Sequence, residues 1–348
     1  MLTIDGSFGE GGGQILRSSL TLSLVTGTPV EIINIRAGRK QPGLRPQHVR
    51  AVAAARTISR ARVEGDKPGS DRLRFEPGPV TPGRYHFRIG TAGSTSLVLQ
   101  TIHLPLSLAD QRSVVEVAGG THVPWSPAFD YLNEHWLWAL RLMGLSTTLT
   151  LERAGFYPRG GGVMRAAILP QADRPIQPVT LTYRGRLVEV TGTSAVADLP
   201  DSVGKRQQQR ACKRLDRAGI RNTIDLRRLH SIGKCTVLCV VARFDAAQSC
   251  HCALGAKGKP AERVADEALD GFFHHLETDT CVDPHLADQI LLPLALADGP
   301  SAFTTSRVTG HLTTNAHVIQ QFLPGRIEIE QRSDGTGLVR VEPESGAL

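Results

Sequence analysis

Apolar residues recur at helical spacing over Gln14–Val25 (QILRSSLTLSLV), and a strand-like run, Pro29–Ile35, follows. The first pattern predicts a helix with a buried face and the second a strand. The pair returns at Ser94–Leu108 and Ser113–Val117. Each copy continues into a second helical pattern, Gln47–Ser59 and then Pro127–Met143. Two strand-like runs close each copy: Ala61–Glu64 with Arg72–Glu76, then Thr147–Leu151 with Gly162–Leu169. The unit reads strand, helix, strand, helix, strand, strand. Self-similarity of this kind marks an internal repeat.

A third copy is split. His285–Ala297 has the pattern of a first helix, Phe303 marks a short strand, and Thr314–Phe322 a second helix. Arg326–Glu330 and Gly337–Val341 supply the closing strands, while the first strand, Val179–Tyr183, lies far upstream. An inserted domain explains the gap. Inside it, Asp201–Ala218 reads as a basic helix, Cys235–Phe244 as a buried strand and Pro260–His275 as an amphipathic helix. The expected fold is α+β: three repeats of a sheet with two helices over residues 1–184 and 280–348, and a small α/β insert over 185–279.

Glycine punctuates the chain where these elements begin. GEGGG at Gly9–Gly13 and GTAG at Gly90–Gly93 each precede a helix, and GFYPRGGG fills Gly155–Gly162. Such runs let another group approach the main chain closely, so Gly155–Gly162 is expected to line a site. Glu10 is the acid inside the first run, suited either to a hard divalent cation or to plain solvation. Neither the phosphate-loop pattern nor the dinucleotide fingerprint fits that run, where Gln14 stands in place of a third glycine. Arg17, Arg36, Arg39, Arg45 and Arg50 crowd one region with Lys40 and Gln47, and guanidinium forks match phosphate oxygens. His311 falls at a strand-to-helix junction, where open N–H groups favour anions and an imidazole serves as base, nucleophile or ligand. His317, inside the helix, reads as a packed or solvated side chain.

Composition is that of a folded protein: 348 residues, 41% hydrophobic and 21% charged. The net charge of +7 suits a polyanionic partner. No apolar run is long enough to span a membrane, and the opening MLTIDGSFGE has no signal-peptide pattern, so the expected compartment is the cytoplasm. All six cysteines lie between Cys212 and Cys281. Cys235 and Cys239 share a strand-like run, an awkward place for zinc ligands, so buried reduced thiols are expected.

Together GEGGGQILR, IRAGR at Ile35–Arg39, GTAGS, GFYPRGGG, LADQ at Leu286–Gln289 and HLTTN at His311–Asn315 resemble the RNA 3′-terminal phosphate cyclase family. The resemblance covers nearly the whole chain. It implies ATP-dependent conversion of an RNA 3′-phosphate into a 2′,3′-cyclic phosphodiester, with His311 as the adenylylated nucleophile. It further implies Glu10 as ligand of Mg²⁺ or Mn²⁺, and Arg17, Arg36, Arg39 and Gln47 on phosphates or RNA. Gln100 with Pro284, His285, Leu286, Ala287, Asp288 and Gln289 would form the ATP pocket, Asp288 orienting the histidine. Two positions depart from the pattern: His285 where a tyrosine is expected, and Gly310 where some relatives carry cysteine. Non-catalytic relatives acting in ribosome assembly are the alternative, and those lack the nucleophilic histidine.

Overall fold

The computed structural model describes residues 1–171 and 174–344. The first sheet, in the order β1-β2-β4-β3, is built from β1 (Leu2–Asp5), β2 (Val30–Ile33), β3 (Arg62–Glu64) and β4 (Leu73–Glu76). Helices α1 (Gly13–Thr26) and α2 (Pro46–Ser59) connect these strands. The second sheet, β5-β6-β8-β7, uses β5 (Arg84–Arg88), β6 (Ser113–Gly119), β7 (Thr147–Arg153) and β8 (Gly162–Ile168), with α3 (Thr95–Ser107) after β5. In both sheets the first two strands run parallel and the last two antiparallel. A parallel pair needs a crossover, and α1 and α3 provide it.

The expected single helix over Pro127–Met143 is broken. It comprises α4 (Phe129–Tyr131), a π-helical turn at Leu132–Trp136 and α5 (Leu137–Leu142). The widened turn carries His135, whose ring is fully buried.

A third sheet joins β9 (Thr180–Leu181) to β14 (Ser301–Thr305), β16 (Gly337–Pro343) and β15 (Gly325–Gln331), in that order. Helices α8 (Pro284–Leu294) and α9 (Gly310–Phe322) belong with it. Between β9 and α8 lies a fourth sheet, β11-β10-β12-β13: β10 (Leu187–Ala197), β11 (Asn222–Arg228), β12 (Cys235–Phe244) and β13 (Gln248–Leu254). It is covered by α6 (Asp201–Arg217) and α7 (Ala261–Leu276), which pack on each other.

Helix α1 is central, packing against both α3 and α9. Its buried residues run from Ile15 through Leu24 and face every side, the pattern of an enclosed helix. Small side chains among them (Ser18, Ser19, Thr21, Ser23) let neighbours approach. Gly27 closes the helix at φ 68°, a left-handed position that favours glycine.

Three arginines of α6 are paired with the acidic side of α7 at the surface of this layer. Arg206 pairs with Glu262, Arg210 with Asp266, and Arg214 with Asp266 and Asp270. The acidic side of α7 thus takes up charge that the sequence leaves free for a polyanion.

Candidate active site

Gly9 and Gly11 hold φ of 56° and 54°, which turns the loop before α1 back on itself. Its approach to α9 is close: a Cβ on Gly9 would lie 2.5 Å from Thr314 Oγ1. Glu10 is thereby carried to the start of α9. Thr309 caps that helix by accepting from Leu312 N, so His311 sits in its first turn. His311 Nδ1 lies 2.7 Å from Glu10 Oε2. The oxygen is out of line with the ring N–H and remains a buried carboxylate oxygen without a hydrogen bond. Arg39 reaches the other carboxylate oxygen at 3.5 Å.

Behind this pair the helices are stitched by polar contacts. Arg17 donates to Gln14 Oε1 at 2.7 Å, and Ser18 Oγ donates to Asn315 Oδ1 at 2.6 Å. Asn315 in turn donates to the Asp288 carbonyl, and Gln100 donates to Gln289 Oε1 at 2.6 Å. α1, α3, α8 and α9 therefore converge on one cavity of about 850 Å³. Its wall includes Arg17, Gln100, His285, Asp288, Gln289 and His311.

Electrostatics there are strongly perturbed. Burial lowers His311 from its ordinary range; Glu10 opposes this, while Arg17, His285 and Arg39 add to it. The ring is therefore held neutral near pH 7, as a nucleophile or base requires. Burial pushes Asp288 up to about 7 against the pull of Arg17, with Asp283 and Glu10 adding to the rise. Arg17 is brought down to about 10 by burial, partly offset by Asp288 and Glu10. His48, which the sequence reading did not single out, is pushed down to about 3 by burial and then by Arg17, Arg36 and Arg45. Its Nδ1 accepts from Arg45 N at 3.0 Å, and a Cβ on Gly13 would meet its Nε2 at 2.5 Å.

The remaining expected site residues divide. Leu286 and Ala287 are fully buried in the core, so their side chains form no part of the cavity wall. Pro284 opens α8 and also lies off the wall. Arg36 donates to the carbonyls of Gln41 and Gly43 and shapes its own loop. Gln47 is half-buried against the GTAG loop, its Cβ 3.2 Å from where a Cβ on Gly93 would stand.

Gly155–Gly162 lines no part of the cavity. Its glycines answer to backbone packing: a Cβ on Gly155 would stand 2.3 Å from Gly119 O and 2.3 Å from Gly162 N. One on Gly160 would meet Thr91 O at 2.8 Å. Packing accounts for these glycines without a ligand in the cavity.

Asp283 is the largest feature that the sequence reading missed. It is buried and accepts from Tyr131 Oη at 2.9 Å, from His135 Nε2 at 2.6 Å, and from the backbone N–H groups of His285 and Leu286. Burial alone would raise its carboxyl, but His135 and then His251 and His285 outweigh burial and hold it well below the usual range. Gln248 of β13 donates to Glu134 O and to His135 Nδ1, which fixes the proton of that ring on Nε2. One carboxylate thus ties α8, the π turn and the fourth sheet together.

A family model described as RNA 3′-terminal phosphate cyclase matches residues 8–329. A protein of that name from Methylococcus capsulatus is 43% identical over 348 residues, covering 98% of this chain and 96% of its own. Another, from Archaeoglobus fulgidus, is 42% identical and covers 95% of this chain and 98% of its own. A third, from Salmonella agona, is 40% identical and covers 100% of this chain and 99% of its own. Among solved structures, an enolpyruvyl transferase from Streptomyces tendae aligns at a TM-score of 0.28 and 10% identity, covering 98% of this chain and 81% of that chain, too remote to bear on the fold.

Proposed function

The chain belongs to the RNA 3′-terminal phosphate cyclase family, and from that premise we propose that it uses ATP to convert an RNA 3′-terminal phosphate into a 2′,3′-cyclic phosphodiester. The observation that carries this reading is the neutral-leaning His311 ring facing the cavity, with Nδ1 2.7 Å from Glu10. With the proton on Nδ1, the nitrogen nearer the carboxylate, the lone pair lies on Nε2. Among the described residues no hydrogen bond uses Nε2.

Nε2 of His311 attacks the α-phosphorus of ATP, a P–N bond forms, and pyrophosphate leaves. The RNA 3′-phosphate then takes AMP from the histidine. The adjacent 2′-OH attacks that activated phosphate, gives up its proton, and AMP departs as the ring closes. Splitting one dehydration into displacements with good leaving groups is the advantage of covalent catalysis. In this reading Arg17, on the cavity wall, and Arg39, beside Glu10, hold phosphate oxygens, and His285, Asp288, Gln289 and Gln100 hold the nucleoside. His285 presents an imidazole for stacking on the base. The Asp288 backbone carbonyl holds Asn315, one helical turn beyond His311 on α9.

The orphaned Glu10 Oε2 fits a hard divalent cation, Mg²⁺ or Mn²⁺. Such an ion would neutralise charge on the nucleotide phosphates. The architecture that supports this site reads as three repeats of one four-stranded unit, residues 1–184 and 280–348, interrupted by an α/β domain at 185–279. Among the described residues no helix is long and apolar enough to cross a membrane, and a cytoplasmic enzyme acting on RNA is the reading we adopt.

Incubation with α-labelled ATP and Mg²⁺ or Mn²⁺ tests the proposal. One AMP should appear on the peptide containing His311, and RNA bearing a 3′-phosphate should become phosphatase-resistant. His311→Ala should remove the label. Absence of label from the unaltered protein would favour a non-catalytic role, and label surviving in His311→Ala would move the nucleophile elsewhere.

A further inference from the structure

The cavity has a second concentration of reactive groups, on the strands of the fourth sheet. β12 and β13 pair antiparallel with Cys239 opposite Cys252 and Val241 opposite Cys250. Side chains alternate along strands, so Cys239, Cys250 and Cys252 share one face of the sheet. Cys250 Sγ lies 3.3 Å from Cys239 Sγ and 3.9 Å from Cys252 Sγ, while the sulfurs of Cys239 and Cys252 are in bonding contact. Cys250 and Cys252 line the cavity, and Tyr131 packs against the cluster.

A disulfide between Cys239 and Cys252 leaves the third sulfur unexplained. The Cα atoms of that pair are 4.1 Å apart, closer than the roughly 4.4–6.8 Å usual for bridged cysteines. Three thiolates around one ion at about 2.3 Å would stand about 3.8 Å from each other, a separation that Cys250 and Cys252 already keep at 3.9 Å; Cys239, once reduced, would have to draw away from Cys252 to complete the set.

We propose that reduced Cys239, Cys250 and Cys252 form a three-thiolate site for a thiophilic d¹⁰ cation, Zn²⁺ or Cu⁺, on the cavity wall. Binding replaces three S–H bonds by three metal–sulfur bonds and releases three protons to solvent, with no change of oxidation state. Soft sulfur ligands separate this site from the oxygen site at Glu10, which suits Mg²⁺ or Mn²⁺. With Zn²⁺, a fourth position is left to water from the cavity.

The full chain, reduced and desalted without oxygen, is titrated with Zn²⁺ or Cu⁺ against a chromophoric chelator for each ion. One equivalent should bind per chain, and three of the six cysteines should become unreactive to N-ethylmaleimide. The ion that binds more tightly identifies the metal. Cys250→Ser and Cys252→Ser should each weaken binding at least tenfold, while Cys212→Ser should not. Cys252 is partly exposed, so its serine variant keeps the test open should Cys250→Ser misfold. Thermal midpoints check the same point: one equivalent should raise that of the unaltered protein and not that of Cys252→Ser. The proposal is overturned by an unaltered protein that retains no ion, or by binding indifferent to Cys252→Ser. It is equally overturned by a Cys239–Cys252 bond that persists through reduction beside a free Cys250.

Discussion

Asp283→Asn separates a carboxylate that organises the site from one that merely fills space. The side chain is 1% exposed and its partner His135 is fully buried. The amide that replaces the carboxylate keeps an acceptor for Tyr131 and for the start of α8, and asparagine is a good helix cap. What it loses is the charge-assisted bond from His135 Nε2, worth about 1.5–3 kcal/mol. An amide NH₂ or a second-best acceptor then faces the His135 N–H, and leaving that group unsatisfied costs about 1–3 kcal/mol more. The expected loss is about 3–5 kcal/mol, the range for breaking a buried pair.

Urea unfolding followed by tryptophan fluorescence reads this loss where it occurs. Trp136 ends the π turn and Trp138 follows it, and Trp138 stacks on His135 with ring centroids 5.7 Å apart. His135→Phe preserves an aromatic ring for that stack and removes the donor. The double variant should cost about 2 kcal/mol less than the two singles together, because the amide no longer faces an N–H. The pH dependence has a defined sign. Asp283 has a folded value below its unfolded value of 3.8, so its contribution is fully present above that value and declines as pH falls below it. The gap between the unaltered protein and Asp283→Asn should be constant from about pH 5 upward and narrow below about pH 4. A single-variant cost under about 1 kcal/mol, or strict additivity in the double variant, would refute the network as described.

Other predictions follow from the same geometry. Glu10→Gln removes the influence that raises His311 while Arg17, His285 and Arg39 still lower it, so the acid limb of self-adenylylation should move to lower pH; a shift upward contradicts the assignment. Gly155→Ala should cost about 3 kcal/mol or more by thermal or urea unfolding, since its Cβ has backbone on two sides. Gly233→Ala, with no atom nearer than 4.0 Å, should stay within about 0.5 kcal/mol. Arg210→Gln should cost no more than about 1 kcal/mol and leave RNA affinity within twofold, because Arg210 is committed to Asp266; a large loss of RNA binding would instead mark α6 as an RNA-contacting helix.

The helices and the closing strands were legible because each carries a period that burial imposes. Cys235–Phe244 is β12 as expected, and the helix expected at Asp201–Ala218 ends one residue earlier, at Arg217. Boundaries failed where capping decides them: the helix expected from Thr314 begins at Gly310, because Thr309 caps it by a hydroxyl that periodicity does not register. The π turn was invisible for a similar reason. Its sequence, LNEHW, is ordinary helix former and apolar spacing, and the widened turn is held by His135 reaching Asp283 far along the chain. Pairings between distant segments leave no local trace, which is why the thiol cluster read as separate buried cysteines and the α6 arginines read as free charge.

The glycine runs show the limit most clearly. Spacing identified all three as places of close approach, and close approach is what each displays. Only the first brings a reactive carboxylate with it, since Glu10 is carried to His311 by the contact of Gly9 with α9. The run at Gly155–Gly162 packs backbone on backbone, against Gly119 and against Thr91–Ala92 of the GTAG loop. Its arginine ties it to the fourth sheet's domain instead, through the bond from Arg159 to the Ile232 carbonyl. A glycine-rich signature can therefore mark a family through packing alone. The chemistry follows the side chains that such packing brings together, here from the two ends of the chain, and the contact between Glu10 and His311 rests on the packing of α1 and its glycine loop against α9.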